Sequence, residues 1–268
     1  MTKTIMLIHG AWLNSKGWEN WKARYEAKGF TVHTPDWPHD EGEPADLRAN
    51  PRKILAKVGP KQIVASLEEK IRALPEAPIL IGHSAGGVWT QYLLQRGLGA
   101  AGVAIDPAPA PGVPLGFNAA MSAGFVLFDP LAYGKVIQMS RKFFKTRFAQ
   151  ALPEEMKDDH YDRYIVPTAG KVYWDGILAP EKLVWKNPKR PPLLLIAGGR
   201  DLIADASMTK ANYKAQKKAP SLTEFKLYPD RSHWTCAEPG WEEVADFALD
   251  WALKNKSNGN VTPIGRAA

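Results

Sequence analysis

Five residues constrain this chain more than any others: Gly82-His83-Ser84-Ala85-Gly86. Before them, Ile79-Leu80-Ile81 is a short apolar run that follows the breaker segment Pro75–Pro78, which predicts a buried strand. After them, Ala85, Val88, Trp89, Tyr92 and Leu93 recur at helical spacing until Arg96-Gly97 supplies a last-turn cation and a terminal glycine. A strand and a helix joined through one serine need a very sharp turn. Only small residues fit two positions to either side, and Gly82 and Gly86 stand there. Such a turn lifts the Ser84 hydroxyl above the sheet and sets the Ala85 N–H at a helix start, ready to face an oxyanion. The same spacing also occurs at ordinary Gly-Ser turns. Its chemistry therefore depends on a histidine, an acid and a second N–H donor elsewhere.

Taken in order, Thr4–Ile8 reads as a first buried strand running into His9-Gly10-Ala11-Trp12. A helix over about 18–28 carries Trp18, Trp21 and Tyr25 on one stripe, and Phe30–Thr34 is a second strand, so a parallel unit is expected. Residues 35–52 read as polar, Pro-rich loop and 61–74 as an amphipathic helix. A fourth strand spans 102–105. The rhythm breaks at Asp106-Pro107-Ala108-Pro109-Ala110-Pro111, which can continue neither strand nor helix. The next eighty residues lack a strong strand signal and offer helices near 133–148 and 154–164. In the first, Val136, Ile137, Phe143, Phe144 and Phe148 form an apolar stripe opposite Lys135, Arg141, Lys142, Lys145 and Arg147. A greasy face packed inward is the plain reading, and an interfacial face for lipid the sharper one. The sheet resumes at 192–197, followed by a helix at 207–216, a strand at 223–228 and a last helix from Pro239-Gly240. The expected organisation is a core of residues 1–106 and 190–256, a helical cap over 107–189 and a loose tail over 257–268.

A chain of 268 residues is long enough to bury a large α/β core. The net charge of +7 suggests nucleic acid, but the Lys and Arg residues are scattered, without a basic arm or interleaved aromatics, so no nucleic-acid partner is expected. No apolar run reaches membrane-spanning length, so no stable membrane insertion is expected either. Met1-Thr2-Lys3 leads straight into a core strand, leaving no room for a removable signal, and the single Cys236 gives no internal disulfide. A cytoplasmic location and a monomer or homodimer are the resulting expectations.

In an open parallel sheet the crevice lies at the carboxyl ends of the strands. Four polar groups fall at such ends: His9-Gly10-Ala11, Ser84, Asp201 and His233. The order serine, aspartate, histidine is that of the α/β-hydrolases. With its Leu7-Ile8-His9-Gly10-Ala11-Trp12 segment, Trp18 and Trp21, the chain resembles the compact plant-esterase and hydroxynitrile-lyase branch of that superfamily from Ile5 to about Leu253. It begins at what the family counts as its third strand. The resemblance implies an α/β-hydrolase fold, a mostly parallel sheet of about six strands flanked by helices, with a helical cap insertion. It further implies Ser84 as nucleophile, His233 as base and then acid, Asp201 as the acid that holds the imidazole, and Ala11 and Ala85 N–H groups as oxyanion hole.

Alternatives stand beside each. Asp205 rivals Asp201 as the acid. His9 is expected to brace its loop and His83 to pack behind the elbow. Cys236 lies near His233, with an incidental thiol the plainer reading. His33, Asp36, His39, Asp40 and Glu41 match no metal template, so neither metal nor cofactor is expected. Gly10, Trp12, His83, Phe125, Phe128 and Trp234 are the candidate substrate contacts; Phe117, Tyr133 and Tyr173 are counted mostly as core. The expected activity is hydrolysis of a carboxylic ester of a small to medium apolar molecule through an acyl-enzyme. Carbon–carbon, thioester or lactone hydrolysis on the same groups, or a non-catalytic ligand-binding protein, are the alternatives. Two departures speak against a hydroxynitrile lyase: those proteins carry threonine where Gly10 stands and lysine where Trp234 stands. Epoxide hydrolases and haloalkane dehalogenases place aspartate where Ser84 stands.

Overall fold

The computed structural model describes residues 2–178 and 181–257, the side chains of Phe125 and Ile177 apart. Six strands form one sheet. In chain order these and the intervening elements are β1 (Thr4–Ile8), α1 (Glu19–Ala27), β2 (Thr31–His33), α2 (Pro44–Ala49), α3 (Pro60–Arg72), β3 (Ile79–His83), α4 (Ala85–Gln95) and β4 (Ala101–Ile105). A long segment then carries α5 (Phe117–Leu127), β5 (Val136–Ile137), α6 (Arg141–Phe143), α7 (Glu154–Tyr164), β6 (Thr168–Ala169) and α8 (Gly170–Leu178). The sheet is completed by β7 (Leu193–Gly198), α9 (Ala206–Gln216), β8 (Thr223–Tyr228) and α10 (Trp241–Asn255). The order across the sheet is β2-β1-β3-β4-β7-β8, and every pairing is parallel. The chain leaves β1 toward one edge and returns to start β3 on its other side. The switch point of the sheet therefore lies between β1 and β3, where a crevice is expected.

The four central strands β1, β3, β4 and β7 are buried on both faces because both are covered. On β1, Met6 and Ile8 face one cluster with Ile63, Leu67, Val88 and Leu93 of α3 and α4. Ile5 and Leu7 face the other, with Trp21 and Tyr25 of α1 and Val244, Ala248 and Trp251 of α10. The alternation continues through Leu193 and Leu195 against Leu194 and Ile196 on β7. No helix among the described residues is long and apolar enough to cross a membrane.

The segment between β4 and β7 departs from the sequence expectation. In place of one helix over 133–148 there is a 3₁₀ turn at Pro130–Gly134, then β5, then the short α6 passing into a π-helical turn at Phe144–Phe148. The β-branched pair Val136-Ile137 joins Thr168-Ala169 as an antiparallel ribbon, and the Ser140 side chain caps a fresh start by accepting from Phe143 N–H at 3.1 Å. Three of the basic residues on this stretch are engaged: Arg141 and Lys145 pair with Asp158 and Asp162 of α7, and Arg147 Nε donates to Ser122 Oγ at 2.9 Å. Phe144 and Phe148 are buried in the same cluster as the sheet, as the inward-packing reading requires. Three helices were not foreseen: α2 inside the expected 35–52 loop, α5 and α8. Of the expected tail, residues 258–268 lie outside the described residues.

Trp21 shows how the two ends of the chain are tied. Its ring is fully buried against Trp18 and Tyr25, and its Nε1–H donates to Cys236 O at 2.7 Å. Replacement by phenylalanine would leave that carbonyl without a donor in an apolar setting. Trp21→Phe is expected to lower unfolding free energy by about 1–3 kcal/mol in urea titration.

Candidate active site

At the end of β3 the chain turns through Ser84 at φ 55° and ψ −121°, a left-handed setting that a non-glycine residue rarely adopts. Its backbone is held on both sides: Ser84 N–H donates to Ile105 O at 2.9 Å, and Ser84 O accepts from Gly87 and Ala108 N–H. The flanking glycines are required by contact. A Cβ on Gly82 would lie 2.1 Å from Gly86 O, and one on Gly86 would lie 2.2 Å from Ile8 O. β1 thus presses its end against the elbow, and Gly10, where a Cβ would come within 2.6 Å of Ser84 Cβ, lets the following loop do the same.

Ser84 Oγ lies 3.0 Å from His233 Nε2, and His233 Nδ1 lies 2.7 Å from Asp201 Oδ2. The Asp201 carboxylate only accepts, which assigns the imidazole proton to Nδ1 and leaves the Nε2 lone pair for the Ser84 O–H. Asp201 Oδ1 accepts from Ile203 and Ala204 N–H at 2.6 and 2.8 Å, so its negative charge is met by three donors. His83 Nε2–H donates to His233 O at 2.7 Å, and the Phe148 ring stands edge-on to the imidazole at 4.8 Å. Ser232 hydroxyl and N–H are bound by the buried Glu238 carboxylate, which fixes the loop one residue before His233. Asp205 is removed as a rival: its oxygens accept from Asn118 Nδ2 and Ala119 N–H and so tie down α5.

Residues 5–247 match the profile of the alpha/beta hydrolase family. The chain belongs to that family.

Among solved structures it is similar to the methylesterase protein MES16 from Arabidopsis, at 16% identity and a TM-score of 0.68, with 94% of this chain and 99% of that one covered. It is similar to tomato Methylketone Synthase I complexed with 2-tridecanone, at 19% and 0.68, covering 96% and 100%. A third is a pyrethroid hydrolase from Sphingobium faniae JZ-2, at 20% and 0.65, covering 94% and 98%. At these identities the likeness is one of fold. Among curated proteins no relative matches the chain.

The fold opens a cavity of about 410 Å³ directly over Ser84. Ala11 and Ala85 border it beside the serine, and Ala85, first in α4, has an N–H with no intrahelical acceptor. Trp12, at φ 62°, lines one wall with Tyr173 packed 5.1 Å away. The other walls come from Trp89 and Tyr92, which the sequence marked only as a helical stripe of α4, and from residues it did not single out: Ala119 and Ser122 of α5, Val172 and Ile203. Among the described residues, no charged residue lines it.

Several expected contacts lie elsewhere. Phe128, just past the end of α5, is 89% exposed and does not line the cavity. Trp234 is 1% exposed, packed against Phe144, Phe148 and Tyr164 with its Nε1–H donating to His160 Nδ1 at 2.9 Å. His83 lies behind the elbow, and Gly10 supports Ser84 without lining the cavity. The Phe125 side chain lies outside the described residues. Phe117, counted as core, is 78% exposed. In the 33–41 loop, Asp36 accepts from Ser15 N–H and Glu41 pairs with Arg52. Burial pushes the Cys236 thiol well up, with the Asp106 and Glu238 charges adding to it, which makes it a poor nucleophile.

His9 is buried with Nδ1–H on Gly10 O at 2.9 Å and Nε2 accepting from Trp37 N–H at 3.3 Å. Burial lowers its pKa from 6.5 to about 4, and His83 is lowered by burial and then by the neighbouring His233. As pH falls, the unfolded chain takes up these protons first, so stability is lost between pH 6.5 and about 4. Urea unfolding is expected to show His9 contributing a loss of roughly 3 kcal/mol across that window. His9→Gln should flatten the fall.

Proposed function

We propose that the protein is a serine hydrolase that cleaves a carboxylic ester of a small to medium apolar substrate through an acyl-enzyme. The observation that carries this reading is the unbroken chain Ser84 Oγ, His233, Asp201, opening at the serine onto an uncharged cavity. His233 Nε2 takes the Ser84 proton as Oγ bonds to the ester carbonyl carbon. The carbonyl oxygen becomes an oxyanion received by the Ala11 and Ala85 N–H groups, each such donor typically contributing about 10²–10³ in rate. Asp201 balances the imidazolium and fixes its tautomer. His233 then passes the proton to the departing alkoxide, and the alcohol leaves. A water deprotonated by the same nitrogen hydrolyses the acyl group and restores Ser84.

The cavity bears on substrate class. A charged acyl or alcohol part would lose its hydration against walls with no countercharge. A neutral ester is therefore expected to exceed its carboxylate-bearing analogue by about 10²-fold or more in kcat/KM. The segment 107–189 acts in this reading as a cap, since α5, α8 and Phe143 close the side of the cavity away from the sheet.

The first test is intact mass after treatment with an alkyl fluorophosphonate. One adduct is expected on the native protein and none on Ser84→Ala. Ser84→Ala, Asp201→Asn and His233→Ala should each cut ester turnover by about 10³-fold or more with unfolding curves close to native. Native-like turnover in a folded His233→Ala protein would overturn the assignment. A panel of esters, thioesters, lactones and diketones separates ester hydrolysis from the other reactions available to these groups. A folded protein that neither labels nor turns over any of them would be a binding protein.

A further inference from the structure

The two peptide carbonyls that flank Asp201 are both held from the segment between β4 and β7. Leu202 O accepts from Ser122 Oγ at 2.6 Å and from Arg147 Nη2 at 3.2 Å. Arg200 O accepts from the side-chain amide of Gln150. Arg147 lies in the π-helical turn, and Gln150 follows that turn by two residues. The N–H groups of the same loop face the sheet instead: Arg200 N–H donates to Arg231 O at 2.9 Å and Asp201 N–H to Gly198 O at 3.3 Å. Among the described residues Arg147 pairs with no carboxylate. Its guanidinium spends its donors on Leu202 O, on Ser122 Oγ at 2.9 Å and on Asn118 O at 3.4 Å. One planar fork thus spans α5 and the residue after Asp201.

We infer that Arg147 and Gln150 are positioning residues for Asp201: they fix the peptide units on either side of it and so aim its carboxylate at His233 Nδ1. This rests on the reading of His233 as the base. The Asp201 carboxylate folds back on its own loop, with Oδ1 accepting from Ile203 and Ala204 N–H. Leu202 C=O and Ile203 N–H belong to one planar peptide unit. Holding that oxygen on Arg147 and Ser122 therefore points the N–H at Asp201 Oδ1, 2.6 Å away. A cation on the oxygen also polarises the unit and makes its N–H the better donor. Arg200 C=O and Asp201 N–H form an earlier planar unit in the same way, pinned by Gln150 at one end and by Gly198 O at the other. Neither Arg147 nor Gln150 lines the cavity, so neither is placed to act on substrate directly. Ser122 does line it, and the wall it forms shares an anchor with the acid.

The experiment measures kcat and KM on a short neutral ester, with second-order rates of fluorophosphonate labelling, for the native protein, Arg147→Met, Arg147→Lys and Gln150→Leu. Methionine keeps the aliphatic stem and removes every N–H donor. Arg147→Met is expected to lower kcat by about 10- to 10²-fold with KM within about 3-fold of native, because a misplaced Asp201 is felt in the transition state. Gln150→Leu is expected to lower kcat by about 2- to 10-fold. Arg147→Lys, which keeps the charge and loses the fork, should fall between native and Arg147→Met. The decisive arm repeats the Arg147→Met change in an Asp201→Asn background. Acting through Asp201, it should leave the labelling rate within about 2-fold of Asp201→Asn alone. Any larger further loss in the folded double variant would overturn the proposal while leaving the Ser84–His233 assignment intact. An unchanged kcat in folded Arg147→Met, with KM raised only for bulky esters, is the outcome of a role confined to the α5 wall and would overturn it too. Where Arg147→Met does not fold, Gln150→Leu carries the same cycle. A native protein that neither labels nor turns over would overturn the serine-hydrolase reading and this proposal with it.

Discussion

The site depends on how closely two backbones approach beside Ser84. The carbonyls of Ile8 and His9 press into the space over Gly86, and Gly10 lies equally close against Ser84 itself. That contact lets a strained serine persist, because relieving its φ would drive the start of α4 into Ile8 and His9. The approach also brings Ala11 and Ala85 to the cavity wall beside Ser84. The switch point between β1 and β3 supplies the crevice, and the glycines supply the closeness. Without either, the same serine and histidine would be ordinary surface groups.

The second constraint is charge in a buried place. His233, Asp201, Asp106, His83 and Glu238 are all largely hidden from water. Each is tolerated through a specific arrangement: three donors around Asp201, a neutral His83 donating to a carbonyl, Ser232 satisfying Glu238. In such a setting, leaving a polar group unpaired costs far more than pairing it gains. The network therefore fixes one arrangement of the His233 loop. Trp21 extends that control to α1 through Cys236 O, so the loop is held from a helix two hundred residues earlier in the chain.

Legibility in the sequence followed where the physics is local. The strand, turn and helix around Ser84 could be read from Ile79 to Arg96 because each step uses a short-range rule. Asp201 and His233 could be read because strand ends in a parallel sheet converge on one edge. The cavity walls could not. Over 107–128 the chain holds no charged residue to mark a solvent face, and Ala119 and Ser122 turn inward while the larger Phe117 and Phe128 are exposed, so no clear amphipathic pattern marks α5. The 133–148 stretch misled for a related reason. Val136-Ile137 fits a helical stripe and a strand equally well, and the partner that decides, Thr168-Ala169, lies thirty residues away.

Trp234 and Phe128 make the same point from opposite directions. A tryptophan next to the base suggests a substrate contact, yet its indole is consumed by Phe144, Phe148, Tyr164 and His160 and serves to seat the His233 loop. A phenylalanine at the end of an apolar helix suggests a pocket wall, yet it lies outside. Large aromatics are placed by what the fold needs to fill, and the space left for substrate is bounded mostly by alanine, proline, glycine and serine. Small side chains at those positions are what keep about 410 Å³ open above Ser84. The shape of the cavity is thus set by residues whose individual sequence signal is weakest, whereas the hydrogen-bonded chain at its floor uses the residue types whose signal is strongest.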